Sequence, residues 1–466
     1  MQTSGGKAHE NWSSRFTFIM AAVGSAVGLG NFWRFPYEAG TNGGGAFVIV
    51  YLVSVVLIAV PIIICELAIG RRAGLSAVAS TRKAAVDEGK SPAWQIAAWI
   101  GMCASLLVLS FYSVIAGWLV AYVPLIAKGT FSGVTAEVAG SHLTALHANP
   151  KLMILTHTGF MALTIFIVLR GLNKGIEVVV NVLMPVFFVL MLLMAVYAMI
   201  IGAPGEALAF LLTPDFSKIT PAVVISALGQ AFFSVSVGTA VMITYGAYLD
   251  KSVRIPRSAG MIAAADTLVA MIAGMLIFSI VFGFGLDPDV GPGLVFVTLP
   301  VAFGQMPFGT VIGTVFFLLA LVAAITSSIS MLEIFVAYAE EYEFLPRRRA
   351  AILGGGTIWL LGMGSVFSFT ESAAWSRFYP LDFIPMFREK NWFAITDTLT
   401  DTIMLPLGGL LVAVFSGWVV SKNLFRDEVR LEGAAFSVWH FLVRYVAPVT
   451  LVGVLLARLG ALDFLL

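Results

Sequence analysis

The chain has 466 residues, 59% hydrophobic and only 11% charged, with 27 lysines and arginines against 26 aspartates and glutamates and a mean hydropathy of +0.96. Soluble domains carry roughly a quarter charged residues, so a solvated exterior is excluded and most of the surface must face lipid. The net charge of +1 argues for neither nucleic acid nor acidic partners, and the two cysteines, Cys65 and Cys103, lie in apolar runs that argue against a disulfide framework.

The polar start MQTSGGKAHENW passes into an apolar run that continues to Arg34 and Pro36 with no small-residue cleavage site, and reads as a retained span rather than a signal peptide. Crossing a bilayer core takes about 20 apolar residues per helix. Eleven such runs follow one another: 14–37, 45–70, 92–127, 152–170, 176–202, 220–249, 258–284, 309–339, 350–369, 394–421 and 434–464. The chain therefore reads as an all-α integral membrane protein with about 11 transmembrane helices, several long enough to tilt, kink or project beyond the bilayer. With the N-terminus cytoplasmic, eighteen lysines and arginines fall in cytoplasmic segments and seven, Arg458 among them, in outer ones. That alternation follows the positive-inside rule and puts the C-terminus outside. Arg444 then lies just inside the last run and Arg34 deep in the first. The segment 285–308 is too apolar for a plain loop and is expected to fold back onto the protein, and 370–393, aromatic and of mixed charge, to lie at the membrane interface. Tandem repeats of 20–50 residues are not visible. A weaker symmetry is: GSAVGLGN in the first run and SVSVGT in the sixth sit at similar depth, five helices apart. Corresponding breaks in two halves of a transporter point to a binding site between them.

Within GSAVGLGNFWRFP (24–36) three glycines and an asparagine crowd eight residues, each glycine weakening a helix by roughly 1 kcal/mol. Backbone freed inside a membrane is tolerated only where it lines a cavity or is buried in protein. Unwound carbonyls suit a hard cation such as sodium, and the N-terminus of the second half-helix suits a carboxylate; close helix packing explains small residues equally well. In QAFFSVSVGT (230–239) Ser234, Ser236 and Gly238 interrupt an apolar run, although such serines often bond back to their own helix. In ALVAAITSSISM, Ala323, Thr326 and Ser327 stand at i, i+3 and i+4, one helix face carrying hydroxyls toward a bundle interior or a packing contact. Arg34, Glu66 and Asp266 are charges within spans, which are costly and mark function by default. The first two also read as a structural ion pair, whereas Asp266 has no basic neighbour in its helix and a bound cation is its economical partner. Chemical catalysis is not indicated: there is no nucleophile–base–acid set, metal-ligand cluster or phosphate loop, and His9, His142, His147, His157 and His440 are dispersed.

NWSSRFTFIMAAVGSAVGLGNFWRFPYEAGTNGGGAFVIVY, QAFFSVSVG with ITYGAYL, VGPGLVFVTLP, LVAAITSSIS and LPLGGLL occur in this order. Together they resemble the neurotransmitter:sodium symporter family over nearly the whole chain. The resemblance implies one transporter domain over 1–466, with two inverted five-helix repeats (about 12–202 and 220–421), unwound helices 1 and 6, and an extra helix at about 434–464. It implies cotransport of sodium with amino acids or their relatives. One sodium would be held by Ala26, Asn31, Ser234 and Asp266, and a second by Gly24, Val27, Ala323, Thr326 and Ser327. Substrate would lie against Ala26, Gly28, Leu29, Gly30, Val108, Tyr112, Phe233, Ser234, Ser236, Thr239, Ser327 and Met331, with Tyr112 donating to its carboxylate and Phe233 capping the pocket. Arg34 would close an outer gate with Asp397 or Asp401, since DTLTD aligns ambiguously. Glu66 would accept hydrogen bonds from the unwound part of helix 6. At the inner gate, Trp12 follows His9 where the family often has arginine, with Glu341 as the acid, which suggests a weaker or pH-sensitive closure.

Other departures bear on the substrate. Gly28 stands where monoamine carriers have aspartate, which leaves room for a carboxylate. Asp266 stands where many relatives have asparagine, and Ala270 replaces a serine of the chloride site whose other positions match Tyr51, Gln230 and Ser234. A fixed carboxylate would repel an anion beside it, so chloride independence is expected. Thr239 and the adaptable Met331 suggest bulky aromatic or aliphatic L-amino acids. The expected protein is thus a sodium-coupled amino-acid importer of the eleven-helix bacterial type in the inner membrane, with substrate, sodium and lipid as its partners and no obligate protein partner evident. A sodium-dependent amino-acid sensor of the same fold is the alternative, and a channel a more distant third.

Overall fold

In the computed structural model, residues 11–287, 293–370 and 373–461 are described; Lys7 and His9 lie outside them. Eighteen helices of seven residues or more organise these residues: α1 (Arg15–Ala26), α2 (Gly30–Thr41), α3 (Gly45–Ala73), α4 (Ala77–Asp87), α5 (Pro92–Ala127), α6 (Ala136–His147), α7 (Pro150–Val168), α8 (Leu172–Ile201), α9 (Pro204–Leu212), α10 (Pro221–Ser234), α11 (Val241–Ala247), α12 (Ile255–Gly283), α13 (Leu294–Gln305), α14 (Gly309–Glu341), α15 (Arg347–Phe369), α16 (Trp392–Val419), α17 (Lys422–Val429) and α18 (Gly433–Arg458). Among the described residues nine helices are long and apolar enough to cross a membrane, and α1 with α2 form a tenth span bent by 50°. The remaining run, 220–249, is divided between α10 and α11 by six non-helical residues.

Prolines leave the same mark on five of the helices. π turns at 30–34, 55–59, 294–298, 399–404 and 442–446 are each followed two residues later by a proline: Pro36, Pro61, Pro300, Pro406 and Pro448. Proline lacks a backbone N–H and its ring crowds the carbonyl four residues earlier, so the ladder slips by one residue there instead of breaking.

The core is built around α1, α5, α10, α12 and α14, each with an apolar face buried in the bundle, while Phe16, Ile96, Leu268, Val311 and Leu318 stand exposed on their other faces. Segment 293–305 does fold back: Leu294, Val295, Phe296, Leu299 and Phe303 are buried against the bundle. Close backbone approach fixes α3 to α11. A Cβ on Gly70 would lie 1.9 Å from the Ile243 carbonyl oxygen, and one on Gly246 2.6 Å from that of Leu67. Neither obstacle is a flexible side-chain end. Gly70→Ala is therefore expected to cost about 1–3 kcal/mol through overpacking, read as a drop of several degrees in detergent melting temperature. Gly140→Ala, which faces open space, should melt like the parent.

The segments 71–90, 250–254, 333–347 and 421–428 gather at one end, through Arg71–Glu428 (2.8 Å), Ser421 N–H to Glu88 (3.1 Å) and the Ser76 N–H to Glu341. This is the arginine-rich end. Residues 131–133, 304–307, Arg34 and Arg458 mark the other.

Candidate functional site

Helix α1 stops at Ala26 because Val27 is extended (ψ 110°) and the ladder restarts only at Gly30. Between them the Asn31 side chain caps the Gly28 N–H (2.9 Å), and the Leu29 N–H donates to the Tyr112 hydroxyl oxygen (3.3 Å). Tyr112 accepts there and keeps its own proton to give. In the sixth run, Ser236 (φ 57°), Gly238 (φ 77°) and Ala240 (φ 63°) alternate through the left-handed region, which turns peptide groups out of the helical ladder. One freed donor, the Gly238 N–H, is met by the fully buried Glu66 at 3.0 Å. Arg34 and Glu66 are therefore not an ion pair; their partners lie elsewhere.

The two breaks meet. A narrow cavity between them is lined by Ser25, Ala26, Gly28, Leu29, Gly30, Ser105, Val108, Tyr112, Phe233, Ser236, Thr239, Ser327, Met331 and Leu405. Eleven of the twelve residues expected at a substrate line it. The exception is Ser234, whose hydroxyl turns away to donate to Asp266 at 2.6 Å. Ser25, Ser105 and Leu405 were not anticipated. Ser105 was readable, since positions 105, 108 and 112 share one face of α5. The lining carries no charged side chain.

Asp266 is wholly buried. Besides Ser234, it accepts from the Asn31 amide (2.9 Å) and the Tyr51 hydroxyl (3.5 Å), and Asn31 also donates to the Asp266 carbonyl (3.1 Å). No salt bridge reaches it among the described residues. Gln230 extends the group by donating to the Gly30 carbonyl (3.0 Å). On the other side of α1, the Ser327 hydroxyl lies 3.4, 3.2 and 3.2 Å from the carbonyl oxygens of Gly24, Ser25 and Val27, and Thr326 Oγ1 lies 3.1 Å from that of Ala323. Ser327 thus reaches across to the broken helix, whereas Thr326 bonds back within its own. Both clusters are sets of oxygen donors, the chemistry that hard cations favour.

Toward the arginine-poor end, Phe233 covers the cavity, and the Arg34 guanidinium lies over its ring at 4.8 Å. Beyond it opens a vestibule of about 720 Å³ bordered by Trp33, Phe111, Ile115, Trp118, His147, Phe296, Asp397 and Asp401. Arg34 pairs with Asp401 (2.8 Å) and lies 3.7 Å from Glu38, so of the two acids in DTLTD the second takes the arginine. His147 is packed between Trp118 and Phe369, at 4.7 and 5.4 Å. Burial holds its pKa below the ordinary imidazole value, so it serves as a neutral aromatic wall.

At the arginine-rich end the Trp12 indole donates to the Tyr245 carbonyl (3.1 Å) and its backbone N–H to that of Tyr248 (3.1 Å). Glu341 accepts from the Ser76 N–H; His9 lies outside the described residues. A cluster missed in the sequence sits beside these: buried Glu333 accepts from Tyr248 (3.1 Å) and from Arg347 (2.5 Å), which also donates to the Val168 carbonyl (2.8 Å). This end is packed shut, while the other has a vestibule above a covered cavity.

A model of the sodium:neurotransmitter symporter family matches residues 9–132 and 148–462. The chain is 38% identical over 457 residues to the uncharacterized sodium-dependent transporter YhdH of Bacillus subtilis, covering 97% of this chain and 98% of that one. It is 31% identical over 464 residues to an uncharacterized sodium-dependent transporter of Haemophilus influenzae, covering 98% and 100% respectively. Among solved structures it resembles the crystal structure of MhsT in complex with L-phenylalanine, with 40% identity, a TM-score of 0.87, and coverage of 97% of this chain and 100% of that one.

Proposed function

The chain belongs to the sodium:neurotransmitter symporter family and is a sodium-dependent integral membrane symporter, not an enzyme; on that premise we propose that it imports bulky apolar or aromatic L-amino acids with two sodium ions and without chloride. The observation that carries this reading is the uncharged lining of the cavity. An amino acid brings its own carboxylate and ammonium, and the site answers with the Tyr112 hydroxyl, helix ends and a sodium ion instead of a fixed countercharge. The carboxylate would take the Tyr112 proton near Gly28 and Gly30 and touch the sodium at Ala26, Asn31, Ser234 and Asp266. The second sodium would sit among Gly24, Val27, Ala323, Thr326 and Ser327. The side chain would rest on Val108, Phe233, Ser236, Thr239 and Met331, with Met331 adapting to its shape. Binding of L-phenylalanine by MhsT supports the substrate class.

Transport proceeds by alternating access. Sodium and substrate bind under Phe233, Arg34 closes on Asp401, and the contacts of Trp12 and the Glu333–Arg347 pair then release at the opposite face. With the arginine-rich end cytoplasmic, as the positive-inside rule requires, the protein lies in a bacterial inner membrane with its N-terminus inside and C-terminus outside. Each charge moved inward gains about 2.3 kcal/mol per 100 mV, so two sodium ions support steep accumulation.

A scintillation-proximity screen of all L-amino acids, GABA, taurine and betaine, with and without sodium, tests the substrate. Sodium-dependent binding confined to large apolar side chains is the expected result, and preference for GABA, taurine or betaine would overturn it. Uptake into proteoliposomes should be unchanged when gluconate replaces chloride; loss of transport there would refute chloride independence.

A further inference from the structure

Arg458 ends α18, the helix outside the two halves that carry the breaks. Its side chain is only 12% exposed, because it turns inward to α16 and donates to the Asp401 carbonyl (2.9 Å) and to Asp401 Oδ2. Arg34 holds the other carboxylate oxygen, Oδ1, at 2.8 Å. One carboxylate is thus clamped by two arginines, one oxygen each. Gly229 of α10 makes the approach possible: a Cβ there would stand 2.1 Å from Arg458 Nη2 and 3.8 Å from Arg34 Nη2. Around the clamp stand Glu38, beside Arg34, and Asp397, one helical turn from Asp401 in the same vestibule wall. Three carboxylates and two guanidiniums leave a net charge of −1; without Arg458 it becomes −2, with Asp397 and Asp401 repelling along one helix face.

Resting on the transporter reading above, we propose that Arg458 is a third gate residue, a fixed partner that keeps Asp401 neutralised and aimed while Arg34 moves. Arg34 lies beyond the break in the first span, so it is the arginine free to swing. Arg458 belongs to a helix packed on α16 and stays with Asp401 in both positions. The gate then closes onto a preset carboxylate, and opening it never leaves a bare buried charge, whose uncompensated burial is costly. Arg458 therefore governs how long the cavity beneath Phe233 stays closed to the vestibule, without touching substrate.

The test is the rate at which a membrane-impermeant thiol reagent labels Ser105→Cys in the covered cavity beneath the gate, in sodium, on a Cys103→Ser background. Arg34→Gln and Arg458→Gln are each expected to raise that rate about tenfold, as loss of a charge-assisted hydrogen bond implies. Arg458→Lys should return it to within about threefold of the parent, which a merely structural role would not do. Gly229→Ala, which pushes away the flexible guanidinium without changing any charge, should also raise it and carries the test if Arg458→Gln does not fold. Parent-like labelling in Arg458→Gln or Gly229→Ala, with Arg34→Gln fast, overturns this inference and leaves the transporter reading intact. If Arg34→Gln is also parent-like, the gate itself is wrong and the inference falls with it. Absence of sodium-dependent substrate binding in the parent is the separate outcome that would sink the transporter reading.

Discussion

Replacing Asp266 with alanine is expected to abolish sodium-dependent substrate binding, with a loss of at least a hundredfold in apparent sodium affinity. Its carboxylate is fully buried and accepts from Ser234, Asn31 and Tyr51, with no protein cation in contact among the described residues. A buried carboxylate is tolerated only when paired, and a bound sodium supplies the pairing. Each hydrogen bond to a charged group contributes about 1.5–3 kcal/mol, so alanine removes the ion's ligand and also releases Asn31, whose amide orders the break in the first span. Asp266→Asn separates the two contributions: it keeps the shape and loses the charge. If the carboxylate stands in for an anion, sodium-dependent binding in Asp266→Asn should improve when chloride is added, while the parent stays indifferent. Equilibrium binding across a sodium titration, in chloride and in gluconate, reads both. Unchanged sodium dependence in Asp266→Ala would remove Asp266 from the sodium site.

The second large effect concerns position 28. Gly28→Asp is expected to weaken amino-acid binding about a thousandfold. A Cβ at Gly28 would sit 2.7 Å from Ser327 Oγ and 2.9 Å from the Tyr112 hydroxyl, so any side chain points at the groups that would meet the carboxylate. Two negative charges about 4 Å apart at an effective dielectric near 20 repel by roughly 4 kcal/mol. Gly28→Ala carries only the steric part and should lose much less. The same aspartate would favour a ligand with an amine and no carboxylate, so phenethylamine should gain on L-phenylalanine in Gly28→Asp. Direct binding of the two radiolabelled ligands to parent and variants checks this. An unaltered L-phenylalanine affinity in Gly28→Asp would mean that the carboxylate lies elsewhere.

What could be read from the residues divides by range. Apolar runs and glycine breaks are local, so the nine apolar helices, the bent first span and the interruption between α10 and α11 all fall on runs and breaks read from the residues. The face of α14 carrying Ala323, Thr326 and Ser327 followed from helical spacing alone, although only the structure shows that Ser327 crosses to α1 while Thr326 does not. Pairings between distant segments were not legible. Asp397 and Asp401 lie one turn apart on the same face, and spacing cannot choose between them; the reach of Arg34 does. Glu333 was not among the charges read within spans and Arg347 counted only as a cytoplasmic charge; the end of α14 brings the two together. Arg458 entered the charge count as an outer residue, because nothing local shows a side chain turning back over a glycine of another helix.

The vestibule above Phe233 gives the cycle a hydration cost. At roughly 30 Å³ per water, its 720 Å³ holds on the order of two dozen molecules. In the proposed alternating-access cycle, closing this end returns them to the outer solution. The conformational equilibrium therefore does osmotic work as well as electrical work. Solutes too large to enter the vestibule draw water from it and bias the molecule toward closure, so a transporter driven by a sodium gradient is also tuned by the water activity of the medium it imports from.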